Sequence, residues 1–322
     1  MSRAADTLQT HAEVAKLAQL LDHEPAKLEF LERLSLEDVR SLRERITEAL
    51  FDAQDASLRR LAVASKLLPP AVSASIGERA FGPLLSARLA GLLEPSKAVD
   101  MAGRMQPPFL ADVAVALDPR RARDVISRIP ADQIAAITHE LVAREEYVTM
   151  GRFVGYLSDG TILAALEQMD DKALVQVAFV LEDKSTVSEL VGLLPKSRLA
   201  GIVRAAADND LWVQALDLLG HTTERQRKEI VAATAELDHA ALEALVSAVI
   251  QYDLWQEVLA IAEQDATLQR KLAERVRSLP APRRRELAAE AAAAGSIKRL
   301  GVLGEALAGR RSKAGSRASS GP

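Results

Sequence analysis

Between Ile129 and Ala262 the hydrophobic positions fall into one pattern that recurs three times. The copies open at Ile129-Pro130, Leu194-Pro195 and Leu237-Asp238, offset by 65 and then 43 residues. Each runs 17 or 18 residues to an aromatic: Tyr147, Trp212 and Trp255. After each opening come apolar residues at Ile134, Ile137 and Leu141; at Leu199, Ile202, Val203 and Ala206; and at Leu242, Leu245, Val246 and Val249. The spacing i, i+3, i+4, i+7 is one stripe of an α-helix. The aromatic leads a second stripe: Tyr147, Met150, Val154; Trp212, Ala215, Leu216, Leu219; Trp255, Val258, Leu259, Ala262. One helix pair cannot bury both stripes, whereas stacked pairs can. The pattern predicts an all-α chain, an array of short helix pairs, and the extra length of the first interval is about one more short helix with its turn.

The flanks read as helical too. His11 to Leu21 is a predicted helix with Val14, Leu17, Leu20 and Leu21 on one side, after a frayed start. Ser35-Leu36-Glu37-Asp38 resembles a capping box, in which the Ser oxygen accepts from the third following amide and the acid reaches back. It predicts a helix to about Phe51, then another to about Leu68 that Pro69-Pro70 stops, because neither proline offers an amide donor. We expect residues 1–70 to form an N-terminal helical cap, 71–279 the array, and 280–308 two further helices. One of these follows Arg283-Arg284-Arg285, ending near Ala294 with Gly295 past it, and the last opens at Ser296. Residues 309–322 carry Arg310, Arg311, Lys313 and Arg317, no acid, and many Ser, Gly and Ala, the composition of a disordered, solubilising tail.

From Leu93 a shorter motif appears. Leu93-x-Pro95-x-x-Ala98-x-x-Met101-x-x-x-Met105 is repeated as Leu117-x-Pro119-x-x-Ala122-x-x-Val125-x-x-x-Ile129, with looser copies at Asp159 to Met169 and Asp183 to Leu194. Proline at the first helical position loses nothing, since its amide would be unpaired there. The motif resembles the N-terminal cytoplasmic domain of MgtE-type magnesium transporters and the related helical repeats of the flagellar rotor protein FliG. The resemblance covers roughly residues 90–200 and weakens towards 262. It implies a right-handed superhelix of short helices. The transporter's nucleotide-binding and membrane parts have no counterpart in this sequence, so the resemblance does not make the chain a transporter.

Composition narrows the picture. The 322 residues are 48% hydrophobic but only 3% aromatic, so the core must be built of Ala, Leu and Val. The net charge of −4 gives no reason to expect specific nucleic-acid binding. There is no cysteine, which excludes disulfides and thiolate chemistry and fits a reducing, cytoplasmic setting. The start of the chain has no apolar signal-peptide core, and the longest apolar run, Leu174 to Leu181, is interrupted at Gln176 and too short to span a bilayer.

Candidate chemistry is sparse. His11, His23, His139, His221 and His239 have no metal-ligand spacing, and no phosphate loop, nucleophile elbow or dinucleotide fingerprint occurs. Acids cluster at helix junctions: Glu145-Glu146, Asp170-Asp171, Glu182-Asp183, Asp208-x-Asp210 and Asp253. Helix capping is their expected role; the transporter resemblance implies a second one, magnesium sensing, with Asp170, Asp171, Glu182 and Asp183 as the ligand set. Tyr147, Trp212 and Trp255 either fill gaps between stacked pairs or anchor a peptide on an exposed groove. The sequence therefore predicts a non-catalytic scaffold or adaptor for a protein partner, with a homodimer as one option, needing no cofactor. The alternative is a soluble Mg²⁺-responsive regulator.

Overall fold

Helices begin in this chain where a proline or a small polar group supplies the first turn. Pro70, Pro95 and Pro107 each sit at the start of a helix, where the missing amide costs nothing. Glu94 accepts from the amides of Ser96 and Lys97, Ser158 from Thr161, and Asp170 from Ala173. Ser35 accepts from the Asp38 amide at 3.1 Å, and its hydroxyl donates to the Asp38 carboxylate at 2.7 Å. The forward half of the expected capping box is thus present, while the acid meets the Ser35 hydroxyl rather than its amide.

A computed structural model describes residues 3–309, apart from 22, 53–54, 66, 236, 238, 253, 264–265 and 294–296. Among these the chain is all-helical, with no strand. Contacts divide it into two units, Asp6–Thr186 and Val187–Pro322 with Met1–Ala5.

The first unit holds α1 (Arg3–Leu20), α2 (Leu36–Asp52), α3 (Asp55–Ser65), α4 (Pro70–Ile76), α5 (Gly82–Ala90), α6 (Pro95–Ala102), α7 (Pro107–Ala116), α8 (Arg123–Ile126), α9 (Ala131–Ala143), α10 (Tyr147–Phe153), α11 (Asp159–Leu166) and α12 (Asp171–Phe179). Helices pack against the next but one: α3 on α5, α4 on α6, α5 on α7, α6 on α8, α7 on α9, α9 on α11 and α10 on α12. The contact of α3 with α5 crosses residue 70, through Leu58 and Ala62 against Leu85 and Leu89. Ala87, Leu117, Ala122 and Ile126 form a core cluster covered by Phe153, Tyr156 and Leu157. Gly151 is required where α10 meets the end of α12, since a Cβ there would lie 2.8 Å from the Val180 side chain and 3.2 Å from the Val177 carbonyl.

Two expectations change here. α1 is ordered from Arg3 rather than from His11. Asp118-Pro119 does not open a helix as Glu94-Pro95 does: Asp118 is buried and holds the amide and guanidinium of Arg120, and only the four-residue α8 follows.

The second unit contains α13 (Thr186–Leu193, which begins at the divide), α14 (Lys196–Asp208), α15 (Trp212–Leu219), α16 (Glu224–Ala235), α17 (His239–Gln251), α18 (Trp255–Ala262), α19 (Ala266–Ser278), α20 (Ala281–Ala293) and α21 (Gly301–Leu307). Again α14 packs on α16, α15 on α17, α17 on α19, α18 on α20 and α19 on α21. Arg283, Arg284 and Arg285 lie inside α20 rather than before it. Gly295 and Ser296, read as helix punctuation, and the tail from Arg310 lie outside the described residues.

The three patterned segments share a local geometry. α9, α14 and α17 are each 13 residues long. Each is followed by three residues and then by a helix whose first residue is Tyr147, Trp212 or Trp255. In each turn an amide reaches back five residues: Glu146 to the Leu141 carbonyl, Leu211 to Ala206 and Leu254 to Val249, at 2.9, 2.9 and 3.0 Å. This is the closing bond of a Schellman motif, which needs a left-handed residue just before the donor. Glu145 and Asp210 occupy that place with φ of 56° and 55°; Asp253, the aligned residue of the third turn, lies outside the described residues.

Candidate functional site

The tryptophans singled out by the pattern lie inside the second unit. Trp212 is 4% and Trp255 2% exposed, and the rest of each stripe, Leu216 and Leu219 or Val258, Leu259 and Ala262, is buried beside it. A partner approaching the surface meets neither ring. Tyr147 differs, being half-buried at the start of α10. The Lys172 ammonium lies 5.9 Å from its ring centre and 2.6 Å from the Glu145 carboxylate, a cation–π contact and an ion pair made by one side chain. The bond to Lys172 holds the Glu145 carboxyl below its ordinary range and raises Lys172, while partial burial raises the Tyr147 phenol.

The four candidate metal carboxylates are otherwise engaged. Asp170 is the N-cap of α12, 2.7 Å from the Ala173 amide. Glu182 accepts from the Arg43 guanidinium at 3.0 Å. Asp183 accepts from the Ser185 amide at 2.9 Å, and the Ser185 hydroxyl together with this amide holds its carboxyl low. Asp171 sits in the first turn of α12, where the helix dipole favours an acid. Among the described residues no three His, Asp or Glu side chains group as a metal site would require. A Mg²⁺ ion needs several converging oxygens, and this set does not offer them. The junction acids Glu145 and Asp210 also prove to be left-handed C-terminal turn residues rather than N-caps.

The densest chemistry lies elsewhere, around α1 in the first unit. Gln9, Thr10, Glu13, Val14, Lys16, Leu17 and Ala18 are all buried, so the helix is enclosed on more than its apolar stripe. Glu13 is 2% exposed, Lys16 4% and Arg43 5%. The Glu13 carboxylate takes Lys16 at 2.7 Å and the Arg43 Nε at 3.0 Å, with Arg40 at 3.7 Å. Arg43 continues to Glu182, and Lys16 donates to the Val180 carbonyl at 3.1 Å. At the other end of α1, Gln19 donates to Glu146 at 3.0 Å and to Thr149 at 3.2 Å. Arg152 donates to the Leu117 carbonyl nearby, and its pKa is pushed down by burial and by the charge of Arg43.

Burial by itself pushes the Glu13 carboxyl up, but Lys16, Arg43 and Arg40 together reverse this and leave it below its ordinary value. Lys16 moves down, because burial and Arg43 oppose its charge more than Glu13 supports it. Both directions describe a pocket in which cations outnumber the carboxylate they share. Such a network fixes α1 in one register: Glu13, Lys16 and Arg43 are each hydrogen-bonded, and removing Glu13 would leave the buried Lys16 without its carboxylate. The sequence hid it, since Glu13 and Lys16 read equally well as an i, i+3 pair on a solvated face.

No protein family, curated protein or solved structure matches this chain. No described helix is long and apolar enough to cross a membrane.

Proposed function

We propose that this chain is a non-catalytic helical-repeat scaffold that binds a protein partner along its stacked helix pairs. The observation that carries the reading is the shared build of the three segments: a 13-residue helix, a three-residue turn and a helix led by an aromatic. Helices that each pack on the next but one, as they do within both units, present an open surface rather than a single enclosed pocket, and such surfaces serve protein recognition. The right-handed superhelix belongs to this proposal. In it Trp212 and Trp255 hold neighbouring helices together, and the partner meets Tyr147, framed by Lys172 and Glu145.

Affinity capture from native cells tests this with three baits: the wild type, Tyr147→Ala with Lys172→Ala, and a chain ending at Gly309. The expected outcome is a stoichiometric protein partner on the wild type and the shortened chain, lost from the double variant, with unchanged melting temperatures. Failure of any bait to retain a partner, or equal retention by the double variant, overturns the reading.

A further inference from the structure

The net charge of −4 conceals a segregation. Residues 266–322 carry 13 Lys and Arg against four Asp and Glu, while the preceding 265 residues carry 28 against 41. Ten of those 13 cations are arginines. In the structure five of them gather where α19 turns into α20. Arg275 and Arg277 lie in the last turn of α19, and Arg283, Arg284 and Arg285 follow near the start of α20. Five arginines thus fall within 11 residues around one helix junction. Arg275, Arg277 and Arg285 are exposed, and Lys298 adds charge on the segment leading into α21, where Arg299 pairs with Glu263 at 3.2 Å.

This arrangement works against the fold. Cations suit a helix C-terminus, so Arg275 and Arg277 are well placed. Arg283 to Arg285 sit near a helix N-terminus, where the dipole favours acids, and the first turn of α20 contains none. Glu286 takes Arg283 at 2.9 Å, and Arg285 bonds only weakly to the Ala281 carbonyl at 3.4 Å. The Arg284 Nε is buried and meets no acceptor among the described residues. Places where a chain breaks a local rule without a packing gain are expected at functional sites.

We propose that the α19–α20 corner is a binding surface for the phosphate backbone of a nucleic-acid duplex. Guanidinium forks match phosphate oxygens in a way that lysine does not. The surface has no aromatic residue from Ala266 to Pro322 on which an unpaired base would stack, so single strands lack their usual anchor. Nor does any described residue from 266 to 309 belong to the exposed large hydrophobics, which an anionic membrane surface would need for insertion. A paired phosphate backbone is the partner that requires charge alone. Recognition is then independent of sequence and strongly dependent on salt. DNA and RNA duplexes share this chemistry, and the measurement separates them.

The test is fluorescence anisotropy of the full chain with labelled 20-base-pair DNA and RNA duplexes of mixed sequence, alongside sedimentation with phosphatidylserine vesicles. With about four phosphates contacted, affinity for a duplex should fall about 100-fold between 50 and 200 mM salt. Arg275, Arg277, Arg283, Arg284 and Arg285 changed together to Gln should weaken duplex binding at least tenfold at 50 mM salt and flatten the salt slope. The pair Arg277→Gln with Arg285→Gln, both exposed and outside the core, should weaken it less without shifting the melting temperature. A chain ending at Gly309 should bind more weakly but keep a slope that the arginine changes reduce. Absence of duplex binding at 50 mM salt, equal binding by both arginine variants and the wild type, or retention on vesicles without duplex binding would overturn the proposal.

Discussion

At the scale of single residues the Glu13–Lys16–Arg43 network makes the sharpest claim. Glu13→Ala leaves the buried Lys16 without a carboxylate and is expected to cost ~3–5 kcal/mol. Glu13→Leu with Lys16→Leu removes both charges while Arg43 keeps Glu182, and should cost much less; urea midpoints of the two variants decide it. The pH dependence follows from the direction of the shift. Because the folded Glu13 value lies below 4.5, its contribution is complete above pH 4.5 and is lost as pH falls through the folded value. Lys16, also lowered, adds a slope of the same sign at high pH, where the unfolded chain holds the proton longer. Acid titration of stability should therefore be steeper below pH 4.5 for the wild type than for Glu13→Gln. Nothing local foretold this network, because burial of Glu13 depends on α2 and on the chain around Val180, more than a hundred residues away. By contrast Asp170 was legible as a cap, since a cap is made with amides two or three residues on.

At the scale of elements, the three helix–turn–helix segments were readable because their stripes repeat, and Ile134, Ile137, Leu141, Leu199, Val203, Leu245 and Val249 are indeed buried. What periodicity could not give was the turn itself. An acid next to a helix start looks like an N-cap, but Glu145 and Asp210 close the helix before it in a left-handed conformation. An L-residue is disfavoured there by roughly 1–2 kcal/mol, and glycine escapes the penalty while losing more chain entropy. Asp210→Gly is thus expected to stabilise the chain by about 0.5–1 kcal/mol, seen as a higher denaturant midpoint with an unchanged slope. The motif around Glu94-Pro95 and Asp118-Pro119 carries the opposite lesson. Identical spacing led to a helix in one case and to a buried Asp–Arg clasp in the other, because Arg120 offers Asp118 a better partner than the amides of a new first turn.

At the scale of the whole molecule, the division at Thr186 separates the consequences of damage. Trp212→Ala should cost ~3–5 kcal/mol and expose amides of the second unit to hydrogen exchange, with α9 and α12 in the first unit unaffected; uniform loss of protection would show the two units to unfold as one. Ending the chain at Gly309 should leave the melting temperature unchanged, since among the described residues the last buried one is Leu307. Melting curves at low and millimolar Mg²⁺, matched for ionic strength, should superimpose, because Asp170, Glu182 and Asp183 would have to give up existing partners to bind the ion. The bulk charge, read as an average, concealed the basic end; only division along the chain reveals that acids dominate one part and arginines the other.

Both tryptophans of the chain, Trp212 and Trp255, fall in the same unit and are buried there. Excited selectively, their emission is therefore a private signal of Val187 onward, and Asp6–Thr186 is dark at that wavelength. Far-ultraviolet circular dichroism, which weighs every helix, sums the two. The offset between an emission curve and a dichroism curve, taken on unmodified protein, is a direct optical reading of how far the halves melt independently.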